Sequence, residues 1–355
     1  MRSFERRVTP TIGPASVERP DATMQAIVQD RYGSADVLHL AEVRVPEIGD
    51  GDVLVRVRAA SIGAWVDHFV AGEPLVMRLQ FGLRRPRQRT HASDLAGVVV
   101  AVGGRVEQFR VGDRVYGEAA AVFAEYAATP ATSLSHVPAR LSDAQAAAIP
   151  IAGQTALLGL RDHGRLRPGQ HVMIIGAAGG VGSFAVQIAK ARDAEVTAVC
   201  SSRSVDLVRS LGADHVIDYT ERDLTAGSER YDVVFQLAGA QPASQLRRIL
   251  TPGGTLVLSS GEGGHWIGPL GRLGAAMITS PFADHRVRTY VTATKAANLV
   301  QLTTLVDRGR IEPVVDRTYP LAEMADALRH FRQPHGQGKT VVTIDGPGVD
   351  ETDLR

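Results

Sequence analysis

Apolar and polar positions change rhythm once along this chain, and the change divides it. From residue 24 to about residue 139 the period is that of short strands. Val53-Leu-Val-Arg-Val-Arg alternates, as a half-buried strand does. Leu95-Ala-Gly-Val-Val-Val-Ala-Val is a continuous apolar run closed by Gly103 and Gly104, the pattern of a more buried strand and its turn. Arg110-Val-Gly-Asp-Arg-Val-Tyr reads as a turn and a short strand, and Phe123-Ala-Glu-Tyr-Ala-Ala as another strand. Short strands punctuated by Gly and Asp predict a barrel or a sandwich.

Beyond Leu141 strands and helices alternate. Ser142-Asp-Ala-Gln-Ala-Ala-Ala-Ile predicts a capped helix stopped by Pro150, with helix continuing over residues 151–164. Strands are predicted at His171-Val-Met-Ile-Ile, Glu195-Val-Thr-Ala-Val-Cys, His215-Val-Ile, Asp232-Val-Val-Phe-Gln-Leu and Thr255-Leu-Val-Leu-Ser. Helices are predicted over residues 182–192, 204–211 and 241–250. Such repetition makes a parallel sheet with helices on both faces. After Phe282 the pattern is mixed: a strand at His285-Arg-Val-Arg-Thr-Tyr, helices over 296–308 and 321–331, and a last strand at Lys339-Thr-Val-Val-Thr-Ile.

Composition narrows the function classes. A chain of 355 residues suggests two domains. The formal net charge of +1 provides no global field for nucleic acid or an anionic membrane, and neither is expected as a partner. The short basic stretch Arg84-Arg85-Pro86-Arg87-Gln88-Arg89 reads as a solvated loop or one wall of a cleft mouth. The lone cysteine, Cys200, excludes an internal disulfide and a multi-cysteine zinc site, and a buried strand end suits it better than a reactive thiol. No apolar run approaches the about 20 residues that cross a bilayer. Residues 1–23 carry Arg, Pro and Ser without an apolar core; a disordered extension fits them better than a transit peptide, and cytoplasmic localisation is expected.

The most informative segment is Gly176-Ala-Ala-Gly179-Gly180-Val181-Gly182, between an apolar strand and a helix whose Val181, Ala185, Ile188 and Ala189 share one face. Glycine is needed there because the turn is tight and the backbone must approach a pyrophosphate with no Cβ in the way. The helix N-terminus then offers free N–H groups to phosphate. An NAD site usually sets Asp or Glu at the end of the second strand. Here that strand ends in Cys200, Ser201, Ser202 and Arg203, hydroxyls and a guanidinium that suit the 2′-phosphate of NADPH. The alternative for Arg203 is a solvated arginine at a helix start.

These residues resemble the medium-chain dehydrogenase/reductase superfamily, in its zinc-independent quinone oxidoreductase-like branch. The resemblance runs from residue 24 to residue 344. It rests on Ala59-Ala-Ser-Ile-Gly, Asp94-Leu-Ala-Gly-Val-Val-Val-Ala-Val-Gly, Val111-Gly-Asp-Arg-Val-Tyr-Gly, Ala152-Gly-Gln-Thr-Ala-Leu, the glycine turn, Leu211-Gly-Ala-Asp-His-Val-Ile-Asp-Tyr and Gly338-Lys-Thr-Val-Val. It implies an α/β fold, a Rossmann doubly wound parallel sheet inserted in a GroES-like β-barrel domain. The implied divisions are a barrel over 24–145, a Rossmann domain over 146–284, a returning barrel segment over 285–345 and a flexible tail over 346–355. It further implies a homodimer.

Zinc relatives carry Gly-His-Glu where this chain has Ala92-Ser93-Asp94, and no cysteine precedes Cys200. His68, His91, His136 and His163 show no ligand spacing, so no metal is expected. The resemblance places Thr155 at the nicotinamide face, Tyr219 at the adenosine end, Leu237, Ala238 and Gly239 along the ribose, Ser260 at the next strand end and Lys339 approaching the cofactor. The alternatives are a packed aromatic for Tyr219 and a solvated strand-end lysine for Lys339. Relatives carry Asn and Asp where this chain has Gly63 and Val66. Asp67 and His68 follow; they are the candidates to relay a proton, or else an exposed charged pair beside a loop. The expected chemistry is hydride transfer from NADPH to a small electrophilic acceptor, a quinone or similar carbonyl. The alternatives are an enoyl or alkenal double-bond reductase and a non-catalytic NADPH-binding sensor.

Overall fold

In the computed structural model, residues 23–259, 285–290, 292, 294–333 and 336–344 are described. The extension before residue 23, Ser260, the loop over 261–281 and the tail over 346–355 lie outside them.

The elements in chain order are β1 (Thr23–Val28), β2 (His39–Arg44), β3 (Asp52–Ser61), α1 (Ala64–Ala71), α2 (Arg78–Phe81), β4 (Ser93–Val102), β5 (Arg114–Ala119), β6 (Tyr126–Pro130) and β7 (Leu134–His136). Then come α3 (Asp143–Ala147), α4 (Pro150–Leu158), β8 (His171–Ile175), α5 (Gly180–Ala191), β9 (Glu195–Cys200), α6 (Val205–Ser210), β10 (His215–Asp218), β11 (Tyr231–Gln236), α7 (Ala243–Arg247) and β12 (Leu250–Leu258). The last are β13 (Arg286–Thr289), α8 (Ala296–Asp307), β14 (Val315–Pro320), α9 (Met324–Phe331) and β15 (Lys339–Thr343).

The first rhythm builds a seven-stranded sheet, β14-β15-β3-β4-β5-β7, with β6 also paired to β3. Its core gathers Val53, Val55, Val57, Leu95, Val99 and Phe123, capped by Met324, Ala327 and Leu328 of α9. The predicted half-buried strand at Val53 is buried on both sides, Leu54 and Arg56 included. The reason is its central place: β3 pairs with β4, β6 and β15.

The second rhythm builds a six-stranded parallel sheet, β10-β9-β8-β11-β12-β13, the order of a doubly wound dinucleotide fold. Two boundaries differ from the pattern. The helix expected over 241–250 stops at Arg247, because β12 starts at Leu250 and carries Pro252 and the positive-φ Gly253, which a helix excludes. Arg286–Thr289, expected in the returning segment, pairs in parallel with β12 as the edge strand of this sheet.

The two halves share one hydrophobic core. Ala59, Ala96 and Tyr116 of the barrel pack with Ile149, Leu157, Phe184, Leu299 and Leu302 from the α4, α5 and α8 side. The Tyr116 hydroxyl donates to the Leu299 carbonyl at 3.0 Å and lies 2.9 Å from the Thr303 hydroxyl, so one buried phenol joins barrel and helix layer. Among the described residues no helix is long and apolar enough to cross a membrane.

Tyr116→Phe keeps the ring and removes the bridge. It should cost about 1–2 kcal/mol, read as a lower unfolding midpoint in urea, with an unchanged far-UV circular dichroism spectrum.

Candidate active site

The glycine turn follows from local sterics. Gly176 has φ +86°, where a side chain would be strained, and a Cβ on it would meet the Ala238 Cβ at 2.8 Å. A Cβ on Gly182 would lie 2.1 Å from the Gly176 carbonyl oxygen. Gly179 caps α5 with no side-chain hydrogen bond, so the N–H groups of that first turn remain available for an anion. The donors and the bare backbone fit a pyrophosphate. Leu237 is tied to the turn by its N–H donating to the Ile175 carbonyl at 3.0 Å, with Ala238 and Gly239 next to it.

The returning C-terminal strand lies against this turn. The Gly338 N–H donates to the Ala178 carbonyl at 2.8 Å, and a Cβ on Gly180 would meet the Lys339 side chain at 2.8 Å. Gln337 Nε2 donates to the Arg203 carbonyl at 2.9 Å and the Ser204 hydroxyl at 3.1 Å. Residues 337–339 therefore touch both the phosphate turn and the loop after β9.

In that loop Ser201 is buried, while Ser202 and Arg203 are exposed. One feature was not legible at the end of β9. Asp218, from the end of β10, accepts hydrogen bonds from Ser202 and Thr220, which hold its carboxyl below the usual range. Tyr219 is 47% exposed, so it is no packed core aromatic. A cavity of 630 Å³ opens beside Arg203, lined among others by Arg317, Tyr319, His330 and Gln337. None of the buried charges described next lines it.

Those charges form a buried floor where β15, β3, β4 and the start of α4 meet. Lys339 Nζ lies 3.5 Å from Asp94 Oδ2, with the two side chains 6% and 0% exposed. Lys339 is thus a buried ion-pair partner rather than a solvated strand-end lysine. The Asp94 carboxylate also accepts from the Ser61 hydroxyl at 3.0 Å and from the Ile151 N–H of α4 at 2.9 Å. The Ser93 hydroxyl donates to the Ser61 carbonyl at 2.7 Å. Burial pushes the Asp94 carboxyl up and the Lys339 ammonium down, and their attraction for each other opposes both shifts. A Cβ on Gly63 would lie 3.7 Å from Lys339 Nζ, an ordinary contact, so Gly63 is the immediate neighbour of the ammonium.

Glu118 sits across from Asp94 in the β4–β5 register, on the same face. Burial, then the Asp94 charge, push its carboxyl up to about 7, against a hydrogen bond from Thr294. Thr155 completes the wall: its hydroxyl lies 2.8 Å from that of Thr292, and its carbonyl accepts from the Tyr290 hydroxyl.

Asp67 and His68 are not brought to this centre. The buried face of α1 is Val66, Phe69 and Val70. The Asp67 carboxylate is engaged by Arg332, and His68 is exposed. The helical period decides this, since Val66 takes the inward position of that turn. His91 is a packing histidine, buried against Gln29 and pushed down to about 4 by desolvation. The Cys200 thiol is buried and raised to about 11, which makes it a poor nucleophile. Among the described residues no group of His, Cys, Asp and Glu could hold a metal ion. Sequence reasoning missed Glu118, Ser61 and Thr292. The available signal was the register of β4 with β5, which sets Glu118 beside a carboxylate already inside a family motif.

Two family models match: an alcohol dehydrogenase GroES-like domain over residues 49–139 and a zinc-binding dehydrogenase over residues 211–342. The chain is 32% identical to a chloroplastic quinone oxidoreductase of Triphysaria versicolor, covering 90% of this chain and 98% of that protein. It is 31% identical to a chloroplastic NADPH-dependent alkenal/one oxidoreductase of Arabidopsis thaliana, covering 90% and 79%. Among solved structures it is similar to the quinone oxidoreductase from Coxiella burnetii, with TM-score 0.79, 26% identity, and 91% and 100% of the two chains covered.

Lys339→Met leaves Asp94 buried without its cation and should cost about 3–5 kcal/mol. Adding Asp94→Asn should recover part of that, as read by denaturant unfolding. Glu118→Gln isolates the raised carboxyl. Folded Glu118 binds its proton more tightly than unfolded Glu118, so wild-type stability falls as pH rises from about 4.5 and levels off above about 7. Relative to wild type, the Gln variant should gain about 1–3 kcal/mol between pH 5 and pH 8, seen as converging and then crossing or parting melting curves across that range.

Proposed function

Because the chain belongs to the quinone oxidoreductase-like branch of the medium-chain dehydrogenase/reductase superfamily, whose members it resembles as a nicotinamide-dependent oxidoreductase, we propose that it is a zinc-independent NADPH-dependent reductase of quinones or similar electrophilic carbonyls. The observation that carries this reading is the returning strand. It lays Lys339 between a glycine turn shaped for pyrophosphate and a buried polar floor.

The bound dinucleotide supplies the hydride at its nicotinamide ring. Gly176, Gly179, Gly180, Val181 and Gly182 hold the pyrophosphate through backbone N–H groups. Ser201, Ser202 and Arg203 face the 2′-phosphate, and Tyr219 the adenosine. Leu237, Ala238 and Gly239 flank the ribose, and Thr155 bounds the nicotinamide side; Ser260 keeps its assignment from the resemblance alone. The Lys339 ammonium, beside Gly63, offers positive charge to an oxygen that gains electrons. Glu118, across the strand pair from Asp94, is the carboxyl raised to about 7 and the candidate to supply a proton. No step needs a Lewis acid. Ser93 and Asp94 stand where zinc relatives have His and Glu, and the Asp94 carboxylate is already shared among Lys339, Ser61 and Ile151.

A second reading, reduction of an enone double bond, is favoured by the alkenal/one relative and by the same carboxyl, since that product also needs a proton. Titration with NADPH and NADH by fluorescence, then NADPH oxidation with quinone and enone panels, separates the readings. Quinone turnover without stoichiometric zinc supports the first, and enone turnover alone the second. Tight binding with no turnover would replace both by a non-catalytic sensor.

Arg203→Ala should weaken NADPH binding about 10- to 100-fold, the worth of a charge-assisted contact, and leave NADH binding unchanged. Equal loss for both cofactors would remove Arg203 from the 2′-phosphate.

A further inference from the structure

The segment after Gly63 carries a surface that the reductase reading does not use. Trp65, Leu79 and Leu83 are 42%, 68% and 66% exposed. Leu79 lies on α2 and Leu83 just after it, and Trp65 meets α2 through Phe81. The Phe81 ring packs edge-on against Trp65 at 5.5 Å and against Phe69 at 5.6 Å, which pins α2 on α1 and turns Leu79 and Leu83 outward. Isolated exposed leucines are ordinary, but here two leucines and a tryptophan are exposed on and beside one short helix pinned at Phe81.

The patch is bordered by cations. Residues 64–92 hold five arginines against two carboxylates, Asp67 and Glu73, in a chain of net charge +1. Three of the five have structural partners, Arg87 through its Nη1 donating to the Gln80 carbonyl at 3.3 Å. Arg78 donates to the Ala71 and Gly72 carbonyls and stacks on Tyr32, and Arg89 pairs with Asp30. Arg84, Arg85 and Arg87 are exposed, and none pairs with a carboxylate among the described residues. Apolar side chains beside unbalanced arginines are the composition of a surface that sits in a headgroup layer, leucine and tryptophan below and guanidinium at phosphate. A nucleic-acid strand would ask instead for several stacking aromatics along a basic groove.

We propose that this face, α1, α2 and the arginine loop after them, docks on an anionic phospholipid surface and thereby delivers a lipid-borne quinone to the cleft. The second half rests on the quinone reading. Gly63, next to the Lys339 ammonium, is the N-cap of α1, so the docked face begins beside the buried floor. A quinone with a long apolar tail resides in the bilayer; its head group reaches the cleft without the tail crossing water. The near-neutral total charge gave no sign of this, because it averages a local excess against carboxylates elsewhere.

Vesicle flotation tests the docking. Wild type should bind vesicles of phosphatidylcholine mixed with phosphatidylglycerol, ignore phosphatidylcholine alone, and be released by salt. Arg84→Gln/Arg85→Gln/Arg87→Gln should lower the partition coefficient about a hundredfold, and Leu79→Ser/Leu83→Ser about tenfold or more. Both variants should bind NADPH and reduce a short-chain water-soluble quinone as wild type does, which shows that they are folded. Their turnover of a long-chain quinone held in anionic vesicles should fall in step with binding. Failure of wild type to float, or flotation equal in all three proteins, overturns the docking. So does a dimer in sedimentation that the leucine variant breaks, or a single-stranded nucleic acid that competes the vesicles away. Absence of short-chain quinone turnover would sink the quinone reading instead, and with it the delivery half of the proposal, while flotation still decides the docking half.

Discussion

A lysine and an aspartate taken out of water together set the terms for this molecule. Each is costly to bury alone, and their attraction repays the cost only with further hydrogen bonds. The structure meets that condition by converging three segments on one carboxylate: β15 brings Lys339, β3 brings the Ser61 hydroxyl, and the first turn of α4 brings the Ile151 N–H. The returning strand, the barrel and the start of the dinucleotide half are thus held in register by a single polar knot, with apolar packing around it. Shifting any one of the three leaves a buried charge short of a partner.

The same knot gives the cleft its chemistry. The lysine that neutralises Asp94 lies along Gly180, where the bare backbone leaves room for the lysine stem. Asp94 in turn raises its cross-strand neighbour Glu118. Charge balance in the floor therefore couples the glycine turn to a carboxyl raised to about 7. A metal ion in the same place would have to compete with these contacts for its ligands.

Local patterns made most of the fold legible. The change from period two to alternating strand and helix marked the two halves, and the glycine turn stood out because its strand and helix flank it. Side-chain roles that depend on tertiary pairing were harder. Asp94 and Lys339 lie in separate motifs, and nothing in either tells that they touch. Glu118 looks like any strand carboxylate until β5 is registered on β4. Asp67 and His68 attracted notice because they carry ionisable groups near a motif, but the period of α1 gives the inward position to Val66. The edge strand Arg286–Thr289 was assigned to the wrong half for a related reason: a short strand does not announce which sheet accepts it.

Chain order adds a constraint in time. All strands of the parallel sheet lie between residues 171 and 289, so that sheet can assemble from nearby segments as the chain lengthens. The barrel cannot. Its central strand, β3, waits for β15, and until β15 arrives the edge of β3 and the carboxylate of Asp94 are both unsatisfied. Pairings of such long range form late and leave sticky intermediates. The barrel half is consequently the part whose strand pairing is completed last, when β15 arrives.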